Sequence, residues 1–178
     1  MKKRVLCLLI DGFEEIETVT PVDVLRRAGA EVVIAAVHGK MVTGKCGIRM
    51  EADVLLEEVD SSSFDLLLIP GGPGVGGLRS DGRAALLSKE FAAAGKPVAA
   101  ICAAPLVLMD AGLLVGRKFT AFHSVRDELG GCPGERLVVD GNIITSRGAG
   151  TALEFALALV TALFGQTAAN EVAAEIMA

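Results

Sequence analysis

The sequence predicts an α/β domain in which a largely parallel sheet is covered by helices on both faces. Three observations predict it. Short apolar runs alternate with longer helical stretches, the runs contain almost no polar residues, and each run stops at a Gly- or Pro-containing turn. A strand buried on both faces reads as an unbroken apolar run, and strands that alternate with helices build parallel sheets.

Taken in order, Val5 to Ile10 is the first such run, and Asp11-Gly12 turns the chain. Glu14 to Ala28 follows as a helix, with acids in its first turns, Arg26 and Arg27 in its last, and Gly29 beyond. Pro21 lies inside it, where a missing N–H and a bulky ring predict a break or kink. Glu31 to Val37 is the second strand. Met41 to Thr43 and Gly47 to Met50 suggest a small hairpin around Gly44-Lys45. Phe64 to Ile69 is another buried strand, ending in Pro70-Gly71-Gly72-Pro73-Gly74.

Asp81 is placed to cap a helix running to about Ala94, which Gly95-Lys96-Pro97 ends. Val98 to Ile101 is a strand that stops at Cys102, and Ala103 to Ala111 is read as a helix. Lys118 to Phe122 is a candidate strand leading to His123. Leu137 to Val139 and Asn142 to Thr145 form a hairpin around Asp140-Gly141. Gly150 to Phe164 and Thr167 to Met177 complete the chain as helices. No repeat, linker or low-complexity segment divides it, so residues 1–178 read as one domain.

Composition excludes several functions. The net charge is −5, there is no Trp or Tyr, and only 7 Phe are present. A nucleic-acid binder needs a basic face and aromatic platforms, and neither is visible. The start MKKRVLCLLIDG has a basic head and an apolar run, but the run is short and acids follow at once, so it reads as a strand rather than a leader. No apolar stretch free of charge is long enough to span a bilayer. The expected location is therefore the cytoplasm. Cys7, Cys46, Cys102 and Cys132 form no C-x-x-C pair and have no His at ligand spacing, which argues for free thiols and against a zinc site.

In open parallel sheets, ligands bind outside the carboxyl ends of the strands. That rule selects Asp11-Gly12, Gly71-Gly72, Cys102 and Ser146-Arg147-Gly148. Cys102 sits where a strand meets a helix. There, backbone N–H groups and the helix dipole favour a thiolate, although a buried free cysteine is more often a small hydrophobe. Gly71-Gly72 would let the backbone approach a ligand with its N–H groups inward, or would serve as an ordinary turn. Glu14, Glu15 and Glu17 suit a helix N-terminus on structural grounds alone. Of the two histidines, His38 reads as a loop residue. His123 lies near the strand ends and suits either a structural role or proton transfer.

These residues carry a resemblance. Gly12 to Thr18, Pro21 to Gly29, Leu68 to Gly72, Ala99 to Pro105, Thr145 to Gly148 with Gly150-Thr151, and Glu154 to Ala158 match, in order, the DJ-one/ThiJ/PfpI superfamily and its DJ-one-like branch. The resemblance runs over essentially the whole chain. It implies a flavodoxin-like three-layer sandwich and a homodimer. It implies that Cys102 is an easily oxidised, low-pKa nucleophile, that Glu17 is a protonated carboxyl donating to its thiolate, and that the N–H groups of Gly72 and Ala103 stabilise the anion. His123 matches the family's nearby histidine, Asp23 an acid able to orient it, and Arg147 a structural or dimer-contact position. Ser124 stands where many relatives have proline, Ala149 likewise, and Arg49 aligns in more than one way and is left unassigned.

The function the resemblance implies is cysteine-dependent chemistry on methylglyoxal, glyoxal or their adducts, as a glyoxalase or a deglycase, with no cofactor or metal. The alternative is a redox sensor or chaperone acting through oxidation of Cys102. Proteolysis is disfavoured, because His123 and Asp23 alone do not make an ordered triad.

Overall fold

The computed structural model describes residues 2–178. Its core is a seven-stranded sheet built from β1 (Arg4–Leu9), β2 (Glu31–Ala36), β5 (Val54–Leu55), β6 (Leu66–Ile69), β7 (Val98–Ile101), β8 (Leu137–Asp140) and β9 (Ile143–Ser146). The spatial order is β5-β2-β1-β6-β7-β9-β8, with every neighbouring pair parallel except the edge hairpin β8–β9. A separate two-stranded hairpin, β3 (Met41–Thr43) with β4 (Arg49–Glu51), stands outside that sheet.

The apolar runs are apolar on both faces because both faces are covered. In β1, Val5, Cys7 and Leu9 enter one core with α1 (Glu15–Arg27), α5 (Ala152–Phe164) and α6 (Gln166–Glu175). Leu6, Leu8 and Ile10 enter the opposite core with α2 (Val75–Asp81), α3 (Arg83–Ala93) and α4 (Pro105–Asp110). Helices on both faces of a mostly parallel sheet make the flavodoxin-like three-layer sandwich. Each fully buried aliphatic side chain contributes about 1.5–3 kcal/mol, so these two cores dominate stability.

Four local expectations differ from the structure. Helix α1 continues unbroken through Pro21, which lies buried in it; packing against α5 outweighs the one backbone bond Pro21 cannot make. Asp81 ends one helix instead of opening the only one. Gly82 turns at φ 81°, α3 starts at Arg83, and the Asp81 carboxylate still accepts from the Arg83 N–H at 3.2 Å. The segment from Lys118 to Phe122 is not a strand. Two of its N–H groups go to side chains, Lys118 to Asp140 at 2.8 Å and Thr120 to Thr145 at 3.0 Å, and that of Phe122 goes to Cys102 O at 2.8 Å, so no ladder forms beside β8 and β9. The helix after Cys102 starts at Pro105, a favoured first helical position, and residues 102–104 form tight turns.

The chain runs from β1 outward to β2 on one side and returns to β6 on the other. The crevice therefore opens at the carboxyl ends of β1 and β6, with the end of β7 beside it.

Candidate active site

Three acids at the start of α1, Glu14, Glu15 and Glu17, have three different tasks. The Glu14 carboxylate caps its own helix by accepting from the Glu17 N–H at 2.8 Å. Glu15 reaches the loop of the β3–β4 hairpin and accepts from Cys46 N–H at 2.7 Å and Ile48 N–H at 3.4 Å. Burial pushes its carboxyl up, but N–H groups of Glu15, Cys46 and Ile48 outweigh that and hold it below the usual range. Glu17 points inward, is 1% exposed, and accepts from the Gly71 N–H at 3.1 Å. Helix-end chemistry explains the first acid alone.

Cys102 closes β7. Its φ of 66° is left-handed, a conformation that costs a non-Gly residue about 1–3 kcal/mol. Its backbone is pinned on both sides: its N–H donates to Ser146 O at 2.9 Å and its carbonyl accepts from Phe122 N–H at 2.8 Å. The sharp turn places the side chain beside Glu17 and beside the N–H groups of Gly72 and Ala103, which favour the anion.

Both glycines are required. A side chain at Gly71 would meet Cys102 Cβ and Glu17 Oε2 at 2.5 Å. Gly72 adopts φ 100°, and a side chain there would strike backbone of the Gly12–Glu14 turn.

The electrostatics follow from burial. Desolvation raises Glu17 to about 7, with Glu14 adding to the rise; the bonds from Cys102 and Gly71 and the charge of Lys45 oppose it. Desolvation also raises the Cys102 thiol, to about 12, and a charged Glu17 raises it further against the pull of Gly72 and Ala103 N–H groups. The two groups cannot both be anionic. From about pH 7 upward the pair holds one proton and one charge. A lowered thiol pKa is thus not a property of Cys102 beside a charged Glu17. A thiolate arises when its proton sits on the carboxyl.

The thiol opens into a cavity of about 410 Å³. Glu17, Gly72 and Ala103 line it, together with Lys45, Arg79 and Phe122, which the sequence did not single out. Arg79 is held by Asp110 at 2.7 and 2.9 Å and by Glu128 at 2.7 Å. Lys45 arrives on the hairpin that Glu15 anchors. Only a signal for that long-range bond would have found it, and an acid next to a helix start carries none.

His123 lies elsewhere. It opens a short 3₁₀ turn, is exposed, and packs its ring on Phe122 with centroids 4.1 Å apart. It lines a neighbouring cavity with Arg147, while Phe122 and Ser124 line the one over Cys102. The Asp23 carboxylate pairs with Arg27 at 2.9 Å on α1. Arg147 donates to Gly134 O at 3.1 Å. Among the described residues no cluster of His, Cys, Asp and Glu is arranged to hold a metal.

A sandwich of this kind, with a strained cysteine at a central strand end and a buried carboxyl against it, defines a cysteine-centred α/β protein. Residues 3–162 match the DJ-1/PfpI family, and the chain belongs to that family. It is similar to DJ-1 homolog B of Arabidopsis thaliana, 43% identical over 92% of this chain and 38% of that protein. It is also similar to a deglycase of Thermococcus kodakarensis, 38% identical over 81% of this chain and 89% of that one. Oxidized Toxoplasma gondii DJ-1 superposes with a TM-score of 0.92 at 37% identity, covering 98% of both chains. The chain spans less than half the length of the Arabidopsis relatives it matches.

Proposed function

We propose that this protein is a cofactor-independent enzyme of the glyoxalase or deglycase type, acting on methylglyoxal, glyoxal or their adducts. The observation that carries the reading is the buried Glu17 carboxyl beside Cys102, in a cavity that Gly72 and Ala103 also line. The kinship with a deglycase supports it.

In this mechanism the thiol proton passes to Glu17, and the thiolate sulfur bonds to the aldehyde carbon. The carbonyl oxygen takes up a proton to give a hemithioacetal. For methylglyoxal, Glu17 carries the proton lost from the former aldehyde carbon to the adjacent carbon as the ketone is reduced. The product is a lactoyl thioester on Cys102. Water cleaves that thioester, releasing lactate and restoring the thiol, so methylglyoxal plus water gives lactate with no outside oxidant. In the deglycase version, the same thiolate receives the dicarbonyl carbon from a glycated thiol or amine, which leaves with a proton.

The test is lactate formation from methylglyoxal in amine-free, thiol-free buffer. Many turnovers, absent in Cys102→Ala and reduced in Glu17→Ala, support the enzyme. Dicarbonyl loss that stops once the thiols are consumed, with no lactate, overturns it. In that case a redox sensor or chaperone that works through oxidation of Cys102 is the better reading. It is favoured by a nucleophile that opens into a cavity and by the oxidized state of the Toxoplasma relative.

The proposed assembly is a homodimer in the cytoplasm. Ile16 and Val19 on α1 and Ile48 on the hairpin are 53%, 48% and 56% exposed, an apolar face suited to a second copy. The four cysteines are free, which suits a reducing compartment. Sedimentation of Ile16→Asp against the parent checks the dimer, which the proposal expects the substitution to dissociate.

A further inference from the structure

We propose that the cavity lined by His123, Arg126, Arg136 and Arg147 is a binding site for a tetrahedral oxyanion of the phosphate type. The cavity holds about 540 Å³ and is bounded on its other side by Gly148 to Thr151, at the start of α5. Phe122 and Ala149 form a wall shared with the cavity over Cys102. The site does not depend on the cysteine chemistry proposed above.

The charge is concentrated against the trend of the chain, whose net charge is −5. Three arginines line one cavity, and no acid lines it with them. Among the described residues, the acid paired with one of these arginines is Glu154, which lies outside the lining and meets Arg136 at 2.7 Å. Like charges gathered on one wall repel, and an anion between them removes that cost.

The guanidiniums are also held in place by the fold. Arg126 donates through Nε to Ala121 O at 3.0 Å, and Arg147 through Nη1 to Gly134 O at 3.1 Å. Arg136 uses Nε on Glu154 and donates through Nη2 to Gly150 O at 3.3 Å. Each guanidinium carries five N–H donors, so most remain available. Among the described residues the terminal nitrogens of Arg126 have no acceptor in the protein. The ring of His123 adds a further donor.

The number of donors and charges selects the ligand. One guanidinium saturates a carboxylate through a two-pronged contact. Three of them, less the charge of Glu154, leave about two positive charges, which match a phosphate group at about −1.5 to −2.

The experiment is calorimetric titration with inorganic phosphate of the parent protein and of Arg126→Gln, Arg147→Gln and Cys102→Ala, in excess chloride. The expected result is saturable binding to the parent, about tenfold weaker binding in each Arg variant, as for a lost charged hydrogen bond, and unchanged binding in Cys102→Ala. Melting curves without phosphate show that the variants are folded. Phosphate should raise the melting temperature of the parent more than that of either Arg variant. No saturable binding to the parent, or equal binding in both folded Arg variants, overturns the site. A phosphorylated three-carbon aldehyde then separates the sources. Tighter binding than inorganic phosphate in Cys102→Ala indicates a ligand spanning both cavities, and equal binding indicates a site for the free anion.

Discussion

The Glu17 carboxyl and the Cys102 side chain close on the same point beside Gly71, in a place where the two residues are 1% and 8% exposed. Desolvation raises both groups, and only one of them can be charged. The reactive state appears when the pair loses its first proton, so kcat/KM for dicarbonyl turnover should rise with pH through about 7 and then level off, well short of pH 12. Glu17→Gln should remove that step and lower the rate by about 10²–10⁴-fold, the usual contribution of a positioned acid–base group. A profile that keeps rising past pH 9 in the parent would show that the thiol ionises without help from Glu17.

The same pair makes stability depend on pH. Glu17 is raised from 4.5 to about 7 in the folded state, so the folded protein binds its proton more tightly than the unfolded chain does. That stabilisation is complete below pH 4.5 and is lost as pH rises through about 7. The shift corresponds to about 3 kcal/mol across the window. Urea unfolding at pH 5 and pH 8 should therefore show a fall in stability for the parent that is largely absent in Glu17→Gln. An equal fall in both proteins would assign the pH dependence to other groups.

Most of the fold was legible because its strands are buried on both faces, and burial leaves a continuous apolar run whatever the neighbours. The elements missed lack that signature. Val54–Leu55 is a two-residue strand at the sheet edge. Helix α2 begins with Val75-Gly76-Gly77, whose glycines are poor helix formers, and it is held by burial of Val75 and Leu78. Lys118 to Phe122 has the composition of a strand, but its Lys118 and Thr120 N–H groups go to Asp140 and Thr145 side chains that no local pattern announces. At the site, Cys102 and Gly71-Gly72 were legible from strand ends. That Glu17, rather than Glu14 or Glu15, faces the thiol follows from the resemblance and not from local pattern, since all three satisfy the rule for helix starts. Lys45 is set by a bond between Glu15 and a hairpin 31 residues away.

Gly71 is the tightest point of the construction. A methyl group there would meet Cys102 Cβ and Glu17 Oε2 at 2.5 Å and the Ile101 carbonyl at 2.8 Å. Two of these neighbours are the reacting pair and the third is backbone, so nothing can yield cheaply. Gly71→Ala should destabilise by about 1–3 kcal/mol, as overpacking does, and should abolish turnover even at temperatures where the variant is folded. Retained turnover in a stable Gly71→Ala protein would mean that the distance between Glu17 and Cys102 is not critical.

The four thiols should separate by alkylation. Cys7 is fully buried in β1 and pushed up to about 12 by desolvation, so it should stay unmodified in the folded protein. Cys132 is half-buried, and desolvation raises it against the pull of the Ala121 backbone and Arg126, so it should react slowly. Cys46 is exposed and serves as the reference. Cys102 is 8% exposed but opens to the cavity, and its thiolate depends on the proton held by Glu17. Iodoacetamide labelling followed by peptide mass spectrometry should therefore show a Cys102 rate that rises through about pH 7 and then flattens, and that loses this step in Glu17→Gln. If Cys7 or Cys132 proved the most reactive thiol, Cys102 would no longer be the nucleophile. If Cys102 reacted with the same pH profile in Glu17→Gln, the backbone N–H groups of Gly72 and Ala103 would be sufficient to generate the thiolate without the carboxyl.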